Sequence, residues 1–296
     1  MTTLAHISDI HLAPLPHISF KDLLGKRLTG FLNWKIMRRD TLSGEGLKAL
    51  VDHMRDQNPD FTAVTGDLTN LALKAEVIRA GEWLKTVGPA QTVCVCPGNH
   101  DAYVPGALER AQHEWGPYLQ GDSAHGSAFP FVRRLDDTAI ISCSSAVPTR
   151  PFLATGRFDQ EQAARLAKIL TETGEAGLFR VVMIHHPPNP ELQHPSFGLK
   201  GHKLFRRIIA EHGAELILHG HTHRSSIHSI SGLEHEVPVI GVAAASAAQG
   251  SGLDDPARYN LFRIEKNGNG WTCTMREYGY QRLGTDIVMR LQMRIY

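Results

Sequence analysis

Five short apolar runs in this chain each stop at a cluster of Asp, Asn, His and Gly, and that repeated ending restricts the fold more than any other feature. Leu4-Ala-His-Ile-Ser8 runs into Asp9-Ile-His11, Phe61-Thr-Ala-Val-Thr65 into Gly66-Asp67, and the run 91–96 into Gly98-Asn-His-Asp101. Phe179–Ile184 ends in His185-His-Pro-Pro188, and Glu215–Leu218 ends in His219-Gly-His-Thr-His223. Runs of this length bounded by turn residues read as strands. Between the first two, Leu47, Leu50, Val51 and Met54 recur at helical spacing, and helices are predicted over about 71–86, 105–115, 159–170 and 203–212. Asp159-Gln-Glu-Gln162 has the form of a capping box at the head of the third of these. Strands are also predicted at 129–134 and 138–142, and after Gly220 at 225–230, 236–242, 258–265 and 271–277. An α/β alternation that ends in a run of strands predicts two packed sheets with helices outside, in one domain over 1–296.

Composition narrows the class. The chain has 296 residues, 31 basic and 30 acidic, and its 42% hydrophobic content is that of a folded protein, which excludes disorder as the main state. No run of 18 apolar residues occurs, so no membrane-spanning helix is expected. A net charge of +1 argues against a dedicated duplex-DNA binder, and no nucleic-acid partner is expected. The N-terminus enters a strand pattern with no leader, which predicts a cytoplasmic protein. Four Cys are too few for a disulfide framework. Cys94 and Cys96 alternate within one strand pattern and are expected to be buried small hydrophobes.

Histidine is the outlier, with 17 in the chain. Taken singly, an Asp at a strand end is a turn or cap, and a lone His is a packed or solvated one. Taken together, the five motifs put carboxylates, an Asn and imidazoles past the C-terminal ends of five strands, the edge where α/β sheets bind ligands. Alternation lets Asp9 and His11 share an ion, and His221 and His223 likewise. A mixed N and O set without thiolate suits Mn, Fe or Zn. A carboxylate between two such ions is a natural bridge, and the pair activates water for in-line attack at phosphorus.

The ordered series Asp9-x-His11, Gly66-Asp67, Gly98-Asn-His-Asp101, His185-His186 and Gly220-His-x-His223 resembles the calcineurin-like metallophosphoesterase signature and spans residues 4–223. Its motif context is most similar to the bacterial class III cyclic-nucleotide phosphodiesterases. The resemblance implies a four-layer αββα sandwich of two mixed sheets flanked by helices, with a dinuclear centre. One ion would be held by Asp9, His11, Asp67 and His223, the other by Asp67, Asn99, His185 and His221, with Asp67 bridging. A hydroxide bridging the ions would be the nucleophile. His100 would stabilise the transition state or protonate the leaving oxygen, with Asp101 orienting its ring. His185 is preferred to His186 as ligand because it ends the strand and aligns with the family's ligand position; His186, His219 and His202 are assigned supporting or substrate-facing roles.

Asp9 and Asp67 lie 58 positions apart, more than one β-α-β unit needs, and the excess falls at about 14–43. That segment carries Lys21, Lys26, Arg27, Lys35, Arg38 and Arg39 against Asp22 and Asp40, with Leu24, Leu28, Phe31, Leu32 and Ile36 on one helical face. Two short helices are expected, because Gly25 and Gly30 each weaken one long helix by about 1 kcal/mol. Three roles are open to the segment: a lid, a homodimer contact, or a peripheral contact with the inner membrane. In the tail 280–296, Ile287, Leu291 and Ile295 recur at near-helical spacing, which predicts a helix. The expected function is metal-dependent hydrolysis of a phosphodiester such as a cyclic nucleotide. The alternative is a lipid phosphoesterase acting on a phospholipid or lipid-A precursor, and a non-catalytic scaffold of the same fold is the third reading.

Overall fold

The computed structural model describes residues 1–35, 44–122, 129–247, 255–268, 270–281 and 286–296. In chain order its elements are β1 (Thr2–Ile7), α1 (Lys26–Asn33), α2 (Gly44–Asp56), β2 (Phe61–Val64), α3 (Lys74–Val87), β3 (Val93–Val95) and α4 (Ala107–Trp115). There follow β4 (Phe131–Leu135), β5 (Thr138–Ser142), β6 (Gly156–Arg157), α5 (Gln160–Glu175), β7 (Phe179–Met183), β8 (Leu199–Lys200), α6 (His202–His212) and β9 (Leu216–His219). The chain ends in β10 (Ser226–Ser231), β11 (Glu236–Gly241), β12 (Arg258–Asn267), β13 (Gly270–Tyr280) and β14 (Ile287–Arg294).

Two six-stranded mixed sheets pack face to face, in the orders β14-β13-β12-β1-β2-β3 and β10-β11-β9-β7-β5-β4. The sequence of the second sheet shows why both of its faces are covered. In β7, Val181 and Met183 enter the core shared with the first sheet, while Val182 packs on the other side against α5 and α6. In β9, Leu216 and Leu218 face the first sheet and Ile217 faces the helices. A strand apolar at successive positions is what burial on two faces demands. On the far side of the first sheet, α2 contributes Leu47, Leu50, Val51 and Met54 to the core, and α3 contributes Val77, Ala80 and Leu84. The result is the expected αββα layering. All four cysteines are buried and unpaired.

One expectation requires correction. The tail is a strand, not a helix: β14 pairs antiparallel with β13 from Ile287↔Tyr280 to Arg294↔Thr274. A spacing of four residues fits period 2 as well as period 3.6, and Ile287, Met289, Leu291, Met293 and Ile295 alternate with Val288, Arg290, Gln292 and Arg294. The open edge of β13 decides between the two. Within 14–43, the described residues include α1, preceded by a turn at 20–25, and the expectation of two short helices falls partly on 36–43, outside the described residues. Ile36, Arg38, Arg39 and Asp40 lie outside the described residues.

Candidate metal centre and active site

Hydrogen bonds that continue past the strand ends bring the motifs together. The N–H groups of Asp9, His11 and Leu12 donate to the carbonyls of Gly66, Asp67 and Leu68 at 2.9–3.1 Å, so the loop after β1 lies along the loop after β2. In the second sheet, Ile184 donates to Leu218 and Gly220 to His185 at 3.0–3.1 Å. These loops are strained. Asp9, His11, Asp67, His221 and His223 all have positive φ, from 38° to 68°. A non-glycine residue in this region costs about 1–2 kcal/mol, and five at one edge mark a functional site. Two glycines permit the close approach: a Cβ on Gly98 would strike the Asp67 carboxylate, and one on Gly220 would strike Ser8 Oγ and Asp9 Oδ2.

Asp9 and Asp67 divide their oxygens in the same way. Asp9 Oδ2 accepts from the His221 N–H at 2.9 Å, and Oδ1 lies 3.3 Å from His223 Nε2 and 3.9 Å from His11 Nε2. Asp67 Oδ1 accepts from the His100 N–H at 2.7 Å, and Oδ2 lies 3.3 Å from His185 Nε2 and 3.9 Å from His11 Nε2. Asn99 Oδ1 is 3.2 Å from His185 Nε2. The imidazoles are oriented from behind: His11 Nδ1 donates to Thr69 O at 3.0 Å and His185 Nδ1 to Thr65 O at 2.6 Å. A carbonyl only accepts, so each Nδ1 carries a proton and each Nε2 is the nitrogen turned toward the carboxylates.

Among the described residues, three groups place one ligand atom from each residue within 4.8 Å of the others: Asp9, His11 and His223; His11, Asp67 and His100; Asp67, His185 and His221. His221 and His223 therefore fall in different groups. The expectation that they share an ion assumed an extended segment, and their positive φ breaks the alternation. The donor set fits a metal pair. Asp9 Oδ1 is a buried oxygen with no hydrogen-bond partner, facing imidazole nitrogens in a cluster with no thiol. Electrostatics agrees: burial alone would push the Asp67 carboxyl up, but His185 and His100 hold it well below the usual carboxylate range. Burial would push His185 down, and the Asp67 carboxylate instead lifts it to about 9. The carboxylates thus demand positive charge at this point.

Asp101 does not take the predicted part. Its Oδ1 accepts from the Leu68 and Thr69 N–H groups and its Oδ2 from those of Asp67 and Gly98, all at 2.9–3.1 Å. The ring of His100 is oriented by Asn70, whose carbonyl accepts from Nδ1 at 2.6 Å. Sequence reading missed Asn70 because its contribution here is a main-chain oxygen, which any residue carries. Glu76 supports that loop by accepting from the Asn70, Leu71 and Leu73 N–H groups at 2.7–3.0 Å.

The remaining histidines sort by burial. His186 accepts from Ser145 Oγ at Nδ1 (2.7 Å) and donates from Nε2 to Ala154 O (3.0 Å), so both nitrogens are engaged away from the carboxylates. His219 is buried beside Gly220 O and Ser226 Oγ, and burial holds it down at about 4. His202 stands at the first turn of α6 beside Lys203 and Phe158, outside the cavity over the site, which corrects its assignment as a substrate-facing residue.

That cavity has a volume of about 810 Å³. Asp67, Asn99, His100, His221 and His223 form its floor, and Lys26, Thr29, Gly30 and Asn33 of α1 line it from above. A Cβ on Gly30 would strike the Tyr103 hydroxyl, so glycine allows α1 to sit this close. Lys26 Nζ donates to Thr149 Oγ1 at 2.6 Å and Leu153 O at 3.1 Å, and lies 4.4 Å from the centre of the Tyr103 ring. That ring stacks on His100 at 5.4 Å. Nothing in the local sequence distinguishes Lys26 from the other cations of 14–43.

Comparison with known proteins agrees with the geometry. The chain is 27% identical over 227 residues to a probable cyclic nucleotide phosphodiesterase of Synechococcus sp., covering 75% of this chain and 78% of that protein. Its fold is similar to that of a dimetal phosphatase from Danio rerio, with a TM-score of 0.63, 12% identity and coverage of 97% of this chain and 98% of that one. A purple acid phosphatase from yellow lupin (Lupinus luteus) seeds also matches, with a TM-score of 0.55, 11% identity and coverage of 94% of this chain and 51% of that one. The family model for the calcineurin-like phosphoesterases matches residues 2–225, from β1 to just past the last histidine of the site. The protein therefore belongs to the calcineurin-like phosphoesterase family, and by that membership it is a metal-dependent phosphoester hydrolase.

Proposed function

We propose that the protein is a phosphodiesterase whose ions are held by Asp9, His11, Asp67 and His223 on one side and by Asp67, Asn99, His185 and His221 on the other. The observation that carries this reading is the placement of Asp67, whose Oδ2 lies between His185 Nε2 at 3.3 Å and His11 Nε2 at 3.9 Å. Two divalent ions, when bound, supply an activated water and neutralise charge on the phosphoryl oxygens. Mn, Fe and Zn all suit this donor set. The protein's own groups do the rest. Asn70 O fixes His100 with its proton on Nδ1, so a protonated His100 delivers the Nε2 proton to the leaving oxygen. Asp101 holds the backbone of 67–69 and Gly98 around the bridging carboxylate. Lys26 and Tyr103 form the wall that an anionic substrate meets.

Diester chemistry is favoured by the Synechococcus relative, and a cavity of about 810 Å³ accommodates a cyclic nucleotide. A second reading, a lipid phosphoester, is favoured by the exposed Phe152 and Phe197 on the cavity lining. Mn-loaded protein should be offered an aryl diester, an aryl monoester, cyclic AMP and phospholipid vesicles, with Asp67→Asn as control. Diester turnover lost in the control supports the reading. Turnover of the monoester alone would overturn it, and release of a lipid headgroup without loss of cyclic AMP would favour the second.

A further inference from the structure

Helix α1 is amphipathic the wrong way round for a helix that covers a cavity. Lys26, Thr29, Gly30 and Asn33 line the cavity, while Leu28 and Leu32 project from the opposite side, 47% and 49% exposed. Leu24, one turn earlier, is 75% exposed and Phe20 is 94% exposed. Leu28 and Leu32 share one face of α1, and with Phe20 and Leu24 of the preceding turn they form an exposed apolar ridge. Phe152, across the cavity mouth, is 82% exposed and has a φ of 66°, a costly conformation for a bulky side chain. Lys26 ties the two together through its bonds to Thr149 and Leu153, so the ridge and Phe152 form one preset platform.

We propose that this platform docks on an anionic lipid bilayer, setting the cavity mouth against the headgroups. Charge selects the occupant. Within 14–35 the cations Lys21, Lys26, Arg27 and Lys35 face one carboxylate, Asp22, which is held by Ser19. Lys21 and Lys35 are exposed at the two ends of the ridge, and Arg150 is exposed beside Phe152. Apolar side chains rimmed by cations fit the interface of an anionic leaflet. A second copy fits worse, because a two-fold contact sets a patch against itself and would bring these cations together.

The docking goes beyond the phosphodiesterase reading, and a binding measurement without turnover lets the two fail separately. The experiment is flotation of the metal-loaded protein with phosphatidylglycerol-containing vesicles and with pure phosphatidylcholine vesicles. Binding to the former, weakened by salt, is expected, and the triple variant Phe20→Ser, Leu24→Ser, Leu28→Ser should lower it by about tenfold or more. Hydrolysis of a soluble aryl diester should be unchanged in that variant. A second variant, Lys21→Glu with Lys35→Glu, keeps the ridge and should lose only the anionic preference, which decides the matter if the triple variant misfolds. Wild-type protein that stays with neither vesicle, or variants that float like wild type, would overturn the proposal. So would a concentration-dependent dimer in sedimentation velocity that the triple variant abolishes, which would assign the ridge to a second copy.

Discussion

The carboxylate of Asp101 accepts the backbone N–H of Asp67 at 2.9 Å, so the residue proposed to bridge two ions is positioned by a neighbour whose own oxygens are taken up by backbone N–H groups. Those oxygens also gather the N–H groups of Leu68, Thr69 and Gly98. Asp101→Ala leaves these buried donors without an acceptor, and loss of such support typically costs about 10–100-fold in metal affinity or activity. Metal titration by calorimetry, beside the Asp67→Asn variant, checks this; unchanged affinity would refute the positioning role.

His100 is oriented by Asn70 O and stacked on Tyr103. As the proton donor to the leaving oxygen it should be worth about 10²–10⁴-fold in kcat. His100→Gln is expected to lose that factor with an alkoxide leaving group and far less with a nitrophenolate, which needs no proton. Equal losses with both would assign His100 to charge stabilisation instead.

Burial lowers the Lys26 ammonium from its ordinary 10.5 to about 8, with Asp67 opposing the shift. Between those values the unfolded chain keeps a proton that the native chain has shed. Native stability therefore rises with pH across that window relative to a variant without the group. Denaturant melts of wild type and Lys26→Gln between pH 8 and 10 should converge or cross in that direction. The same amine should be labelled by an amine-reactive reagent at pH 8 ahead of an ordinary solvent-exposed lysine, as read by peptide mass spectrometry.

Chelation should abolish hydrolysis and lower the melting temperature, with both restored by adding the metal back. Ions held by the native fold at about 100 times their dissociation constant stabilise it by about 2.7 kcal/mol. Asp9→Asn and Asp67→Asn should each reduce that metal-dependent shift, and a variant that retained the full shift would show that its carboxylate holds no ion.

Away from the site, Arg180 and Glu215 form a largely buried pair, with Nη2–Oε1 at 2.6 Å and Nε–Oε2 at 2.9 Å. Glu215 Oε2 also accepts the Arg180 N–H at 2.6 Å, and Arg180 Nη1 donates to His212 O at 2.8 Å. Removing one member of a buried pair costs about 3–5 kcal/mol. Glu215→Ala should show that loss in urea unfolding, while turnover per folded molecule stays the same.

The ends of the strands were legible in the sequence because a strand's apolar run and the Gly, Asp and His that stop it are local features. That reading places Asp9, Asp67, Asn99, His185 and the two histidines of 221–223 at the C-terminal ends of their strands, and the structure brings Asp67, Asn99, His221 and His223 to one cavity floor, with Asp9 and His185 buried in the ligand groups beneath it. Partnership across the chain was not legible. Strand alternation reads His221 and His223 as sharing an ion, while the resemblance puts them on different ones; in the structure both have positive φ and they fall in different groups. The carbonyl that orients His100 belongs to Asn70, and main-chain oxygens carry no residue signature. The tail's four-residue spacing suited helix and strand equally until the edge of β13 supplied hydrogen-bond partners. The apolar spacing of Leu24, Leu28 and Leu32 was plain in the sequence, but only the tertiary structure turned Leu28 and Leu32 outward, by giving the polar face of α1 to the cavity, and left Leu24 exposed in the turn before it.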